Sequence, residues 1–374
     1  MNDVRFDGQW VGRDAGDTNG WVTLELERQG DLIEGIAYHY PDDPDIVSIA
    51  VEFAMPVGHT HGSFKALPTQ PFRPHDGLRF RHDEMPNYFP NALASRTIDL
   101  DLTFDGPNVH FAFTGQPTEG FPGSKGHGTA LRSHVSPSRI NPTPISWADF
   151  RASAFTQERG RFIHRGQAEP WRLRTSFHRS PRKNLNRYRQ ELVPDAHRII
   201  GSQCAYRFDL NRPADTGAFY NLLQHHGYPT PLLDWTWSPF IAAYFAFERV
   251  PRERTEGNVR IYMFDRKSWL ALSQRDTVAF TSLQFSIVDV ESISNNRVVT
   301  QQACVTLANI DDIEDYLEHA ESLTKIPYLR AVDIPVTDRE QALSDLALMG
   351  IHHGALFPGL DGTCRSLAFK HFGF

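Results

Sequence analysis

The alternation of apolar and polar residues indicates β-structure in the first third of the chain. In WVTLELE (residues 21–27) Val22, Leu24 and Leu26 alternate with polar residues, and the turn RQGD leads into a second apolar segment. TIDLDLTF, the turn DGPN and VHFAFTG (residues 97–115) form a second predicted hairpin. With frequent glycine and proline and no clear amphipathic helix, residues 1–132 are predicted to form an antiparallel β-barrel or sandwich.

The hydrophobic period changes after a proline-containing segment. Residues 133–145 contain three prolines and are predicted to form a linker. Beyond it, Ser146 is a predicted N-cap, and strands are expected in RFIHRGQ and GNVRIYMFD. DIEDYLEHAESL and REQALSDLALMGI have apolar residues at helical spacing. The fold class is therefore α+β, with an N-terminal antiparallel barrel or sandwich and a mixed α+β domain over residues 146–374.

The composition predicts a cellular location, and the charged residues are unevenly distributed along the chain. The three cysteines are far apart, and no segment reads as a secretory signal or a membrane span, so we expect a cytoplasmic protein that does not enter a membrane. Residues 1–132 hold 19 acidic and 10 basic residues, whereas residues 159–189 hold ten Lys/Arg and one acid. The basic segment is typical of a phosphate or nucleic-acid surface, with Trp171, Phe177 and Tyr188 for stacking. The alternative is a solvated, ion-paired surface.

The segment QHHGYPTPLLDWTWSP (residues 224–239) holds several candidate functional residues just before a predicted helix. Ser238 is a good N-cap and Pro239 a typical first helical residue, so DWTWSP is predicted to be the turn before a helix. The amide groups of a helix N-terminus suit an anion, and Thr236 adds a hydroxyl.

Three side chains that precede this helix are candidates for binding or catalysis. His225 and His226 are candidates for positioning a substrate or transferring protons, and Asp234 for orienting a histidine or binding a sugar hydroxyl. Purely structural roles in a turn are the alternative for all three. Neither His225–His226 nor His352–His353 has the spacing of a helical zinc site, so no metal is predicted.

Three further segments carry candidate residues. In FIHRGQ, Arg165 is suited to grip a phosphate, and Gly166 would let a ligand approach the backbone; pairing of Arg165 with a carboxylate is the alternative. NNRVVTQQACVTL (residues 295–307) leads into an apolar strand, and GIHHGALFPGLDG (residues 350–362) is predicted to be a loop because of its glycines and proline.

These segments, in this order, resemble the FRG domain, a bacterial family named for a Phe-Arg-Gly motif. The resemblance spans about Ile145 to Phe369 and includes the Gln-His-His-Gly and Leu-Leu-Asp-Trp-Thr-x-Ser-Pro elements. The chain departs from the family pattern at three positions, where His164 replaces an aromatic residue, Pro231 an arginine and Ala303 a glycine. Residues 8–40 weakly resemble the start of lipocalin-like barrels, which often hold a small ligand although many small barrels have filled interiors.

A more distant resemblance is to toxin-type ADP-ribosyltransferases. It implies that Arg165 holds the phosphates of NAD and that Thr236 and Ser238 belong to the hydroxyl-bearing strand. The glutamate that such enzymes need falls near Asn296 or Arg297, neither of which is an acid. The resemblance thus favours an NAD site and leaves catalysis open.

Together these observations suggest a cytoplasmic FRG-domain effector that acts on NAD or a related nucleotide, by ADP-ribosyl transfer or NAD cleavage, in bacterial defence or toxicity. The barrel would recognise a protein or small-molecule trigger. The alternative is a non-catalytic module that binds a nucleotide or, through residues 159–189, nucleic acid. The expected catalytic residues are Arg165, His226, Asp234 and Gln302, and the expected NAD-binding residues are Arg165, Gly166, Gln167, Arg172, His225, Gly227, Thr236, Ser238, Tyr244 and Asn296.

Overall fold

The structure, a computed structural model, contains two β-sheets from successive parts of the chain. It describes residues 6–43, 45–73, 79–90, 94–118, 122–133, 137–272, 282–288 and 297–372. Both parts have the character predicted from the sequence, an antiparallel sheet followed by a mixed sheet with helices, so the α+β class is confirmed. None of the helices in the described ranges is both long and apolar enough to cross a membrane.

The N-terminal sheet is antiparallel and nearly closed. Its order is β5-β7-β8-β9-β1-β2-β3-β4-β6. The strands are β1 (Gly8–Gly16), β2 (Gly20–Gln29), β3 (Leu32–Pro41), β4 (Ile49–Pro56), β5 (His61–Pro68), β6 (Gln70–Pro71), β7 (Thr97–Asp105), β8 (Asn108–Gly115) and β9 (Lys125–Arg132). Alternate residues point inward, so that Leu24, Leu102 and Phe111 are buried in one core.

The interior of this barrel is filled with side chains. A cavity lined by Val22, Leu100 and Phe113 has a volume of about 30 Å³, close to the share of one water molecule in the liquid. This cavity is therefore too small for the expected small-molecule trigger, and a trigger that binds the barrel stays a prediction.

The second sheet has the order β10-β16-β13-β11-β12-β15-β14. Its strands are β10 (Thr143–Pro144), β11 (Phe162–Gln167), β12 (Leu232–Thr236), β13 (Asn258–Asp265), β14 (Phe285–Val288), β15 (Ala303–Ala308) and β16 (Leu329–Pro335). The pairing of β10 with β16 is parallel and the other pairings between these strands are antiparallel.

Twelve α-helices occur within the described ranges. They are α1 (Trp147–Ala154), α2 (Ser176–Arg179), α3 (Leu185–Arg187), α4 (Val193–Ile200), α5 (Pro213–His225), α6 (Pro239–Glu248), α7 (Arg266–Leu272), α8 (Arg297–Thr300), α9 (Ile313–Thr324), α10 (Arg339–Leu348), α11 (His353–Leu356) and α12 (Leu360–Phe372). Short 3₁₀ segments lie at His82–Asn87, Gly201–Gln203 and Val336–Asp338, and a π-helical turn lies at Tyr188–Leu192.

Three local predictions differ from the structure. The predicted linker contributes β10, because the Thr143–Pro144 backbone pairs with β16. The predicted turn DWTWSP is a strand as far as Thr236, and only Trp237 and Ser238 separate that strand from α6. The predicted loop at residues 350–362 contains α11 and the start of α12, since Gly350 and Gly359, both at positive φ, lie between helices rather than inside them.

The barrel is docked onto the second part of the chain through buried polar groups. The carboxyl group of Glu25 accepts a hydrogen bond from the amide of Leu185 at 2.9 Å, and Glu27 accepts one from the amide of Asn184 at 2.6 Å. Gln9 donates to the carbonyl of Asn309 at 2.7 Å and accepts from the amide of Asp311 at 2.7 Å. Because these groups are buried and satisfied across the contact, they fix how the barrel sits on residues 182–190 and 309–311.

Candidate functional site

The second sheet opens between its two central strands. β11 pairs with β13 from Phe162 to Gln167, and β12 pairs with β15 from Leu232 to Thr236. β11 and β12 themselves pair at one position, where His164 faces Thr236. Among the described residues the two strands have no further backbone pairing past this bridge, and the region between Arg165 and Asp234 is called the crevice below.

The guanidinium group of Arg165 lies in this crevice. Its Nη1 donates a hydrogen bond to the backbone oxygen of Asp234 across the gap, at 2.8 Å. Its Nε is buried and has no hydrogen-bond partner among the described residues. Burial lowers the pKa of Arg165 to about 10, the carboxylate of Asp234 opposes this change, and Arg179 and Arg249 add to it. A cation held in such surroundings is costly unless an anion joins it.

Two other partly or fully buried arginines of the same domain, Arg260 and Arg161, have carboxylate partners. Arg260 binds both oxygens of Asp333 through Nε and Nη2, at 2.8 and 3.0 Å. Arg161 donates from Nε and Nη2 to a single oxygen of Asp265, Oδ2, at 2.9 and 2.7 Å. Arg165 makes no such ion pair within the part of the chain that the structure describes. The alternative role predicted for it, pairing with a carboxylate, is thus absent from these residues.

Asp234 supplies a carboxylate that acts electrostatically on this guanidinium. The amide of Gln224, in the last turn of α5, donates to Oδ1 of Asp234, and the hydroxyl of Thr230 donates in turn to Oε1 of Gln224. The side chain of Asp234 is exposed, so its carboxylate is held in position while open to solvent. A fixed, accessible carboxylate beside a cation is suited to bind ribose hydroxyls or to stabilise developing positive charge.

The two adjacent histidines lie at the C-terminal end of α5. His225 is half-buried, and its pKa is lowered by burial and by Arg297 and His226, while Asp234 opposes this change. His226 is exposed and packs edge-on against His225, with ring centroids 5.1 Å apart. Gly227 has φ +84° with open space around its Cα, so it ends the helix in a left-handed conformation. These residues border the crevice on the α5 side.

Thr236 and Ser238 have local structural partners. The Thr236 hydroxyl donates to the carbonyl of Gln301 at 2.7 Å and accepts from the amide of Ser238 at 3.1 Å. Ser238 caps α6 by accepting from the amide of Ile241, which confirms the predicted N-cap. The sequence suggested free hydroxyls facing an anion, but these hydrogen bonds tie both to the backbone.

Gly166 serves helix packing rather than ligand approach. A Cβ at this position would overlap with the carbonyl oxygen of Ala242 in α6 and lie 2.9 Å from the backbone nitrogen of Ala246. The glycine therefore lets α6 lie directly on β11. The adjacent Gln167 is 8% exposed, and its backbone faces Arg260 of β13.

Arg172 is engaged elsewhere. Its Nε donates to Asp312 at 2.7 Å, its Nη2 donates to Asp315, and Glu314 lies 4.0 Å from Nη1. The side chain is almost fully buried by these carboxylates at the start of α9. The prediction that Arg172 helps to hold a phosphate is not supported, because its charge is already neutralised.

Tyr244 and Gln302 form no hydrogen bond with Arg165 among the described residues. Tyr244 faces a second cavity, with its hydroxyl 3.5 Å from Nδ1 of His353. Gln302 is exposed, has φ +45°, and its carbonyl accepts from the amide of Trp237 at 3.0 Å. Asn296 lies outside the described residues. The sequence analysis did not predict Gln224, Arg179 and Arg249 as site residues, because their proximity to the crevice depends on long-range packing.

Half of the ten basic residues in the segment 159–189 are shown paired with carboxylates. Arg161, Arg172, Arg174, Arg182 and Arg187 each make ion pairs with acids, including Glu27 and Glu34 of the barrel. Two of the three aromatic residues suggested for stacking are buried, Phe177 at 1% exposure and Tyr188 at 2%, whereas Trp171 is 52% exposed. The ion-paired alternative describes this segment better than a nucleic-acid surface.

Comparison with known proteins supports part of the predicted relationship. Residues 160–255, which hold Arg165, Gln224 and Asp234, match the family model of the FRG domain. No curated protein and no solved structure matches the chain. The wider extent of the domain and the likenesses to ADP-ribosyltransferases and lipocalins remain predictions. Residues 160–255 of this chain, which form the crevice, are thus similar to the FRG domain.

Proposed function

We propose that the crevice between β11 and β12 binds NAD or a related nucleotide through its phosphates. The observation that carries this proposal is the guanidinium of Arg165, whose Nε is buried without a hydrogen-bond partner among the described residues. A phosphate oxygen is the type of acceptor that a guanidinium binds with charge-assisted hydrogen bonds. Arg179 and Arg249 lie near enough to lower the pKa of Arg165, so the positive potential extends beyond one residue.

The two ends of a nucleotide would meet different groups. Phosphates would pair with Arg165, while a ribose would lie next to Asp234, whose carboxylate is fixed by Gln224 and exposed. His225, with its lowered pKa, stays neutral near pH 7 and is suited to accept or donate one hydrogen bond. This arrangement accounts for a cation, a carboxylate and an imidazole converging on one crevice.

The chemistry proposed for this site is cleavage of the bond between nicotinamide and ribose. The bond breaks with its electron pair leaving on nicotinamide, positive charge develops on the ribose, and Asp234 stabilises it. Water, or a nucleophile of a target in ADP-ribosyl transfer, then adds to the anomeric carbon and releases a proton. Asp234 thus takes the electrostatic role for which the sequence around residues 296–297 offers no acid.

The test uses the purified full-length protein with NAD, following nicotinamide release and thermal stability together. The matched variants are Arg165→Met, Asp234→Asn and, as control, Arg159→Met, which changes an exposed arginine nearby in the sequence. The proposal expects release by the native protein and by Arg159→Met, and none by the other two. Asp234→Asn should keep the ligand-induced rise in Tm, which Arg165→Met should lose.

The alternative function, binding without chemistry, is favoured by the segment that would hold the catalytic acid, where Arg297 lies over the ring of Phe357 at 5.0 Å. A rise in Tm with NAD that depends on Arg165, without nicotinamide release, would establish this alternative. If NAD gives no nicotinamide release, and neither NAD, ATP nor ADP-ribose at millimolar concentration shifts the Tm, the crevice does not bind nucleotides. Both the catalytic hypothesis and the binding hypothesis are then wrong.

A further inference from the structure

A second cavity lies on another side of α6, bounded by α10 and α12. Its volume is about 660 Å³, within the range of about 300–1,000 Å³ typical of small-molecule sites. Tyr244 and Glu248 contribute from α6, Arg339 and Leu343 from α10, and the segment from Arg365 to Lys370 closes it from α12. None of the groups that hold Arg165 in the crevice lines this cavity.

The walls of the cavity are mainly apolar and partly open to water. Leu343 and Ala347 of α10 and the following Ile351 line one side of the cavity. Leu367 and Phe369 of α12 line the other side. Leu367 is 45% exposed and Phe369 is 43% exposed. A ligand with an apolar body would remove this surface from water, which is favourable in proportion to the area covered.

The residues that line the cavity include more cations than carboxylates. Arg339, Arg365 and Lys370 are cations, and Glu248 is the sole carboxylate among the described lining residues. Glu248 is already bound by Arg365, whose Nη2 lies 2.8 Å from its Oε1. Arg339 donates from Nε to the carbonyl of Phe247 at 3.3 Å and forms no ion pair within 4.0 Å among the described residues. The cavity therefore has excess positive charge beside apolar walls.

This combination selects one class of ligand. A cation would meet like charge, a neutral apolar molecule would leave Arg339 without an anion, and a small inorganic anion would leave the apolar walls exposed. We propose that the cavity between α6, α10 and α12 is a binding site for a small amphipathic anion, an apolar chain with a carboxylate head group that pairs with Arg339. This site is independent of the nucleotide proposed for the crevice.

The experiment measures decanoate binding to the full-length protein by titration calorimetry, with acetate and decanol as the head-group-only and chain-only probes. We expect saturable binding of one decanoate, with acetate and decanol at least about tenfold weaker, because both the charge pair and the apolar contact are needed. Arg339→Gln should weaken decanoate binding about tenfold or more while leaving decanol binding unchanged.

Two tryptophan variants on α10 separate occupancy of the cavity from a general effect on the helix. Ala347→Trp places a large side chain in the cavity and should abolish decanoate binding. Ser344→Trp, at an exposed position outside the lining, should bind like the native protein. The proposal is overturned if decanoate binding is not saturable, if decanol binds equally well, or if the two tryptophan variants behave alike.

Discussion

Replacing Arg165 by methionine should stabilise the folded protein while removing its ligand site. Burial lowers the pKa of Arg165 from its ordinary value to about 10. Each pKa unit corresponds to about 1.4 kcal/mol, which gives about 3 kcal/mol against the charged form. The residue is half-buried, so solvent reduces this to about 2 kcal/mol. Loss of the bond to the Asp234 carbonyl returns about 1 kcal/mol, leaving a net stabilisation of about 1 kcal/mol.

The measurement is urea unfolding at pH 7, where Arg165 is charged in both the folded and unfolded states because both pKa values lie far higher. The matched variant is Arg260→Met on the neighbouring strand β13. Arg260 is 4% exposed and is paired with Asp333, so its loss leaves a buried carboxylate unpaired and should cost about 3–5 kcal/mol.

Opposite signs for the two variants would show that Arg165 is retained for binding at the expense of stability. If Arg165→Met lost as much stability as Arg260→Met, Arg165 would be a structural arginine. The reasoning behind the proposed crevice would then be refuted. The same outcome would follow if ligand-induced stabilisation survived in Arg165→Met.

Three further substitutions test other parts of the structure. Gly166→Ala should lower the free energy of unfolding by about 3 kcal/mol or more in urea titrations, because its Cβ overlaps with the Ala242 carbonyl; a neutral effect would contradict the close packing of α6 on β11. Gln302→Gly should raise that free energy by about 1 kcal/mol, since φ +45° disfavours a side chain; a loss of stability would contradict this. Burial raises the pKa of Glu25 to about 8 from 4.5, so this group stabilises the fold below about pH 4.5 and that contribution falls as pH rises towards 8. Glu25→Gln should therefore flatten the stability–pH profile over that range, by up to about 1.4 kcal/mol per pH unit, and an unchanged profile would show that Glu25 does not titrate there.

Much of the secondary structure follows from local sequence. The alternation around Val22, Leu24 and Leu26 specifies a strand with one face in the core, and Ser146 and Ser238 are caps whose hydroxyls accept from the amides three residues later. Local signals were misleading at residues 350–362, where glycines between two helices indicated a loop. The strand at Leu232–Thr236 was also hidden, because its pairing with β15 is a long-range contact.

For the candidate site, too, local sequence predicted some features and contacts between distant residues decided others. The sequence by itself determined several strands, among them β2 and β11, where α6 begins, and that Arg165 and Asp234 belong to a segment similar to the FRG domain. It did not distinguish Arg165 from Arg172, because both arginines lie in the same basic segment and the carboxylate that neutralises Arg172 lies 140 residues away. Periodicity and capping depend on neighbours within a few residues, whereas ion pairing in a low-dielectric interior depends on which distant side chains the tertiary structure brings within reach. The tertiary structure alone decided which of these two arginines was left without a carboxylate partner among the described residues, and so where a nucleotide is expected to bind.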